Sequence, residues 1–151
     1  MSVLADNVRS MPRPLLVAAS AHALLAVACV VALRVSAPPI LGVHPALKPL
    51  KFALSIAAFL ATMGVLLPRL SVGAAARDLL AWALSATMII EMAAIALQAA
   101  RGAPSHFNVR AGIDAAVWNV MVAAIVVASV GLVGIAAGLA NLVNWLCIDL
   151  G

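Results

Sequence analysis

Charge is scarce in this chain of 151 residues. Lys, Arg, Asp and Glu make up 9% of it, where a soluble domain carries about 25%. Aromatic residues reach only 4%, and the nine Lys and Arg are scattered singly rather than gathered in a block. A surface without a basic patch or an aromatic platform argues against nucleic-acid binding, despite a formal net charge of +4. Cysteine is also rare. Cys29 and Cys147 form no C-x-x-C pair, haem-attachment motif or zinc pattern, and read as small apolar fillers.

What fills the chain is hydrocarbon. Apolar residues account for 66% and the mean hydropathy is +1.19. A soluble protein of this composition could not cover its own surface with polar groups. The apolar residues fall in long continuous runs, predicting spans over residues 15–33, 50–67, 79–100 and 113–136. Lipid offers no partner for a backbone N–H or C=O, so a span must be a helix or part of a closed barrel. Continuous rather than alternating runs remove the barrel. The expected fold is all-α: a membrane-spanning bundle of four transmembrane helices in one integral domain over 1–151.

The connections have their own logic. Arg34 closes the first run, which is longer than the apolar core of a cleaved leader. Pro38, Pro39, Pro45 and Pro49 forbid a regular helix through most of the first loop. Asp78 is a plausible N-cap for the third span. Beyond the fourth, Leu139, Leu142, Val143 and Leu146 share a helical face with Asn141, Asn144 and Trp145 beside it, suggesting an interfacial helix or an extension of the fourth span. Arg9, Arg13, Arg69 and Arg77 would share one side of the membrane, and Arg34, Lys48, Lys51, Arg101 and Arg110 the other. These numbers nearly balance; the reading favours a cytoplasmic N-terminus in a bacterial inner membrane.

Four spans place the first and third loops on one face, and these loops hold most of the distinctive polar residues. In the first, His44 precedes Lys48 and Lys51, which continue through Ser55 and Thr62 as a helical stripe. Such a stripe faces protein or water, or its lysines snorkel to headgroups. In the third span Thr87, Glu91, Gln98 and Arg101 share a face. A carboxylate at the bilayer centre costs at least about 2.5–3.5 kcal/mol, so Glu91 must be paired, protonated or useful. In the third loop, Gly102 and Pro104 set a bend that can turn Ser105, His106 and Asn108 toward the bundle; Asp114 suits the N-terminus of the fourth helix. His22, inside the first span, is a packed polar residue or a haem ligand. Gly134 and Gly138 form G-x-x-x-G, which permits close helix contact and a homo-oligomer.

His44-Pro45 with Lys48-Pro49 and Lys51-Phe52, then Glu91, Gln98 and Arg101-Gly102 with Ser105-His106-Phe107-Asn108, resemble signatures of a group of uncharacterised bacterial polytopic membrane proteins. The resemblance covers residues 41–114 and implies a multi-pass membrane fold, with no catalytic role for any residue. Members of that group are often longer, with further spans and histidines.

These features favour a binding protein over an enzyme, since no paired-carboxylate, nucleophile–base or phosphate-loop spacing occurs. The expected pocket is polar and formed by the first and third loops, with His44, Lys48, Lys51, Arg101, Ser105, His106 and Asn108 in its walls and Glu91 and Gln98 below. It would take a small ligand or a redox cofactor, haem or quinone. The rival readings are a small proton- or cation-coupled transporter centred on Glu91 and a structural subunit or assembly factor of a membrane complex.

Overall fold

The computed structural model describes residues 8–109 and 112–149, with the backbone alone described at 141, 142 and 144–149. Asp6, Arg110 and the side chains of Asn141, Leu142, Asn144, Trp145, Leu146 and Cys147 therefore lie outside the described residues.

Four long helices follow one another: α1 Arg13–Ala32, α2 Leu47–Leu66, α3 Ala74–Ala100 and α4 Ile113–Asp149. All four are long and apolar enough to cross a bilayer. Among the described residues the only strand-like feature is one bridge between Ile40 and Val43. At a rise of 1.5 Å per residue the 20 residues of α1 span about 30 Å, the hydrocarbon thickness.

The helix ends move from where hydropathy put them, each for a local reason. Helix α2 begins at Leu47 rather than 50 because a proline in the first turn, Pro49, has no intrahelical N–H bond to lose. It finishes in a 3-10 turn, Leu67–Arg69, containing Pro68. Helix α3 begins at Ala74, so Asp78 lies inside the helix and is not its cap; Gly73 is, without a side-chain bond. Three alanines, the strongest helix formers, extend α3 backwards beyond the run that hydropathy detects. The C-terminal stretch is not a separate interfacial helix. Helix α4 is continuous for 37 residues, about 55 Å, so it outreaches the bilayer core.

Helix α3 is the centre of the bundle, packing against each of the other three, while α1 packs chiefly on α2. Half of the apolar window of α3 is buried inside the protein, against 22–28% for the others. The seams repeat at alternating steps of three and four. On α4 the stripe is Met121, Ala124, Ala128 and Ile135; on α3 it is Ala81, Leu84, Met88, Glu91, Ile95 and Gln98. This spacing is that of left-handed coiled-coil packing. Small residues let backbones approach: Gly131 faces Leu80 and Leu84, and Gly138 faces Leu70 and Val72. Gly138 is thus taken up inside the chain, and of the G-x-x-x-G pair only Gly134 is open.

The outside is apolar and the inside is partly polar. Leu24, Val27, Val31, Ile125, Val130 and Val133 are exposed, whereas His22, Ser85, Thr87, Glu91 and Gln98 are buried. In water such an outer surface would be one contiguous sticky patch. It suits a lipid environment.

A candidate ligand cavity between the first and third loops

The first and third loops lie on one face of the bundle, and they meet. Between them is a cavity of about 550 Å³, walled by the first loop from Ile40 to Pro45, the start of α2 at Lys48, Pro49 and Phe52, the end of α3 at Ile95 and Ala99, and the third loop from Ala103 to Phe107. Most of this wall is hydrocarbon; the polar atoms come from His44, Lys48, Ser105 and His106.

The third loop is aimed by its backbone. Helix α3 ends in a Schellman motif: the Ala103 N–H donates to Gln98 O at 2.9 Å, and the Gly102 N–H donates to Ala99 O at 3.2 Å. That closure puts Gly102 at φ +66, a conformation glycine adopts freely. Pro104 follows, and its carbonyl accepts from Asn108 Nδ2 at 3.2 Å.

His106 then sits at the wall. Its Nδ1 accepts from Lys48 Nζ at 3.1 Å, and Ser105 Oγ lies 3.1 Å from the same nitrogen. A lone pair that receives an ammonium proton cannot also hold one, so the ring is neutral with its hydrogen on Nε2. Burial, and then the Lys48 charge, push the His106 pKa below the ordinary histidine value. Among the described residues, Nε2 has no hydrogen-bond partner. Phe52 and Trp118 flank it, with centroids at 5.4 and 6.0 Å, and Phe107 packs on Trp118 at 5.0 Å.

Not every expected residue joins the cavity. His44 lines it, but both ring nitrogens are used: Nε2 donates to Val35 O at 2.9 Å, and Nδ1 accepts from the Ala46 N–H at 3.1 Å. His44 therefore ties the first loop together. Lys51, Ser55 and Thr62 are exposed on the outer face of α2, and Thr62 bonds back to Ala58 O. The stripe was real in its spacing, but its face is the outside.

Gln98 and Arg101 form a separate cluster. Arg101 Nη1 lies 2.6 Å from both Gln98 Oε1 and Asp114 Oδ1, and Gln98 Nε2 donates to Asp114 Oδ1 at 3.2 Å. Gln98 is fully buried. These three residues clamp the end of α3 to the first turn of α4, closing the third loop at its base. The sequence placed Asp114 at a helix start but gave no sign of its partners, thirteen and sixteen residues earlier.

Deeper in the bundle, Thr87 bonds to its own helix at Ala83 O. Glu91 is 4% exposed, and its carboxyl makes no hydrogen bond or ion pair among the described residues. His22 holds Ala18 O at 2.7 Å with Nδ1, and its Nε2 lies 3.3 Å from Met88 O. A haem held between facing histidines does not fit these positions. His44 spends both ring nitrogens on backbone, and the pocket beside His22 is lined by no second histidine. Among the described residues no group of three His, Cys, Asp or Glu could hold a metal.

Fold and site together define a four-helix, multi-pass membrane protein with an amphipathic cavity at one face. No family model matches the chain, and no curated protein or solved structure does either.

Proposed function

We propose that this is a non-catalytic, multi-pass protein of a bacterial inner membrane, one integral domain that binds a quinone-like ligand in the cavity between its first and third loops. The observation that carries the reading is the polar pair Lys48 and His106 set into a mostly apolar, aromatic-flanked wall. Binding pockets for small molecules have that composition: mostly hydrocarbon, with a few convergent polar groups that orient the ligand. A quinone carbonyl can accept from Lys48 Nζ or from His106 Nε2, and its flat ring can stack beside Phe52.

Trp118 gives the test, since its ring lies against His106 and Phe107. With Trp82 and Trp145 replaced by Phe, duroquinone quenches the remaining fluorescence saturably in detergent. Lys48→Met and His106→Phe each weaken binding about tenfold, the value of one charge-assisted or buried hydrogen bond. Unsaturable quenching that is identical in all three proteins removes the proposal.

Glu91 supports a second reading. A buried carboxyl with no partner among the described residues, on the helix that touches all the others, is the expected form of a proton- or cation-binding group in a transporter. In proteoliposomes Glu91→Gln would then abolish proton-coupled flux.

A further inference from the structure

Two residues at the cavity have no business in a water-facing loop. Leu41 and Phe107 are 84% and 82% exposed, one from each loop, and both line the cavity. They are also the only non-glycine residues with positive φ among those described, at 51° and 56°. Bulky apolar side chains are genuine outliers in that region. The first loop makes the anomaly sharpest. Ile40 and Val43 exchange both of their backbone hydrogen bonds across Leu41 and Gly42, and Leu41 and Gly42 both have positive φ. That is a type I′ turn, which Asn-Gly fits and Leu-Gly strains. Turn residues in water are polar, yet this turn reads Ile-Leu-Gly-Val.

Strain kept at a cavity rim points to use rather than accident. A rim of exposed hydrocarbon from both loops has no role toward a fully polar solute. It suits a hydrocarbon chain that leaves the cavity and continues into the surrounding lipid. We infer that the ligand is a membrane-resident, tail-bearing quinone whose head lies by Lys48 and His106 and whose tail passes out over Leu41 and Phe107. This inference rests on the cavity reading above and narrows it from quinones in general to those carrying a long chain.

The experiment compares duroquinone, which has no tail, with a decyl-substituted benzoquinone. Both are titrated against Trp118 fluorescence, with ligand expressed as mole fraction in the micelle so that partitioning cancels. The unmodified rim is expected to bind the decyl compound at least about tenfold more tightly, from methylene groups buried against it. The double variant Leu41→Asn with Phe107→Asn should reduce that advantage, read as the ratio of the two affinities in the same protein, below about threefold. Leu41→Gly, which also accepts positive φ, replaces Leu41→Asn if the latter fails to fold. Equal affinity of the two quinones for the unmodified rim overturns the tail proposal but leaves the cavity reading intact, as does an advantage that survives the double variant. Failure of both quinones to bind overturns the two proposals together.

Discussion

Lys48 Nζ donates to His106 Nδ1 across 3.1 Å, joining residues 58 positions apart in sequence. This single bond ties the start of α2 to the third loop and fixes the ring's tautomer. It also makes the loop contact sensitive to acid.

The sign of that sensitivity follows from the lowered pKa of His106. An unfolded chain would take up a proton near the ordinary histidine value of about 6.5, while the folded chain resists it to lower pH. Above that value His106 contributes no pH dependence. As pH falls through it the unfolded state binds the extra proton first, so stability is lost on acidification. Thermal unfolding in detergent should show a melting temperature that drops between about pH 7 and pH 5. The drop should be smaller in His106→Phe, which keeps a ring beside Phe52 and Trp118. An identical pH profile in the variant would show that His106 titrates normally. Lys48→Met removes the second cause of the shift, and the His106 resonance in NMR should then titrate at higher pH.

The bend at Gly102 can be tested by itself. A Cβ placed there meets nothing within 4 Å, so the effect of substitution is purely conformational. Gly102→Ala should cost about 1–2 kcal/mol, the penalty of holding an L-residue in the left-handed region. Gly102→Asn should cost less, since asparagine tolerates it better. Chemical denaturation in mixed micelles reads both. If alanine is as stable as glycine, the Schellman closure does not hold the third loop in place.

Which parts of this arrangement the sequence could disclose depends on the range of the physics. Hydrophobic runs report the solvent directly, so the helices, their number and the shared face of the first and third loops were all legible. Helix ends depend on local chemistry that hydropathy does not see. Arg77 and Asp78 interrupt the hydropathy run, so it misses the alanines at 74–76 that start α3 early, and Gly138 marks no stop because α4 continues through it. Periodicity assigned Lys48 and Lys51 to one stripe but could not say which way it turned. Lys48 reaches the third loop, and Lys51, three residues later, is exposed. Pairing was the least legible, because it is set by tertiary packing. Gln98 and Arg101 carried the look of ligand residues, and the fold uses them as a clamp on Asp114. The strained residues Leu41 and Phe107 were invisible, since nothing in a sequence marks the sign of φ at a leucine or a phenylalanine.

Glu91 is where stability and use should come apart. It occupies a seam position on the central helix, between Met88 and Ile95 in the repeat, where an apolar residue would pack without electrostatic cost. Glutamine has the same shape and no charge, so Glu91→Gln removes the cost of an ionised carboxyl at bilayer depth. At pH 8 the variant should be at least as stable as the unmodified protein, with a gain of up to about 3 kcal/mol. Urea or detergent-induced unfolding followed by circular dichroism measures this. A loss of stability in Glu91→Gln would show that the carboxylate is held by a partner and serves the fold, which would remove the reason for a transport role. A gain in stability together with a loss of flux would instead identify Glu91 as a residue retained for what it carries, at a cost to the bundle that surrounds it.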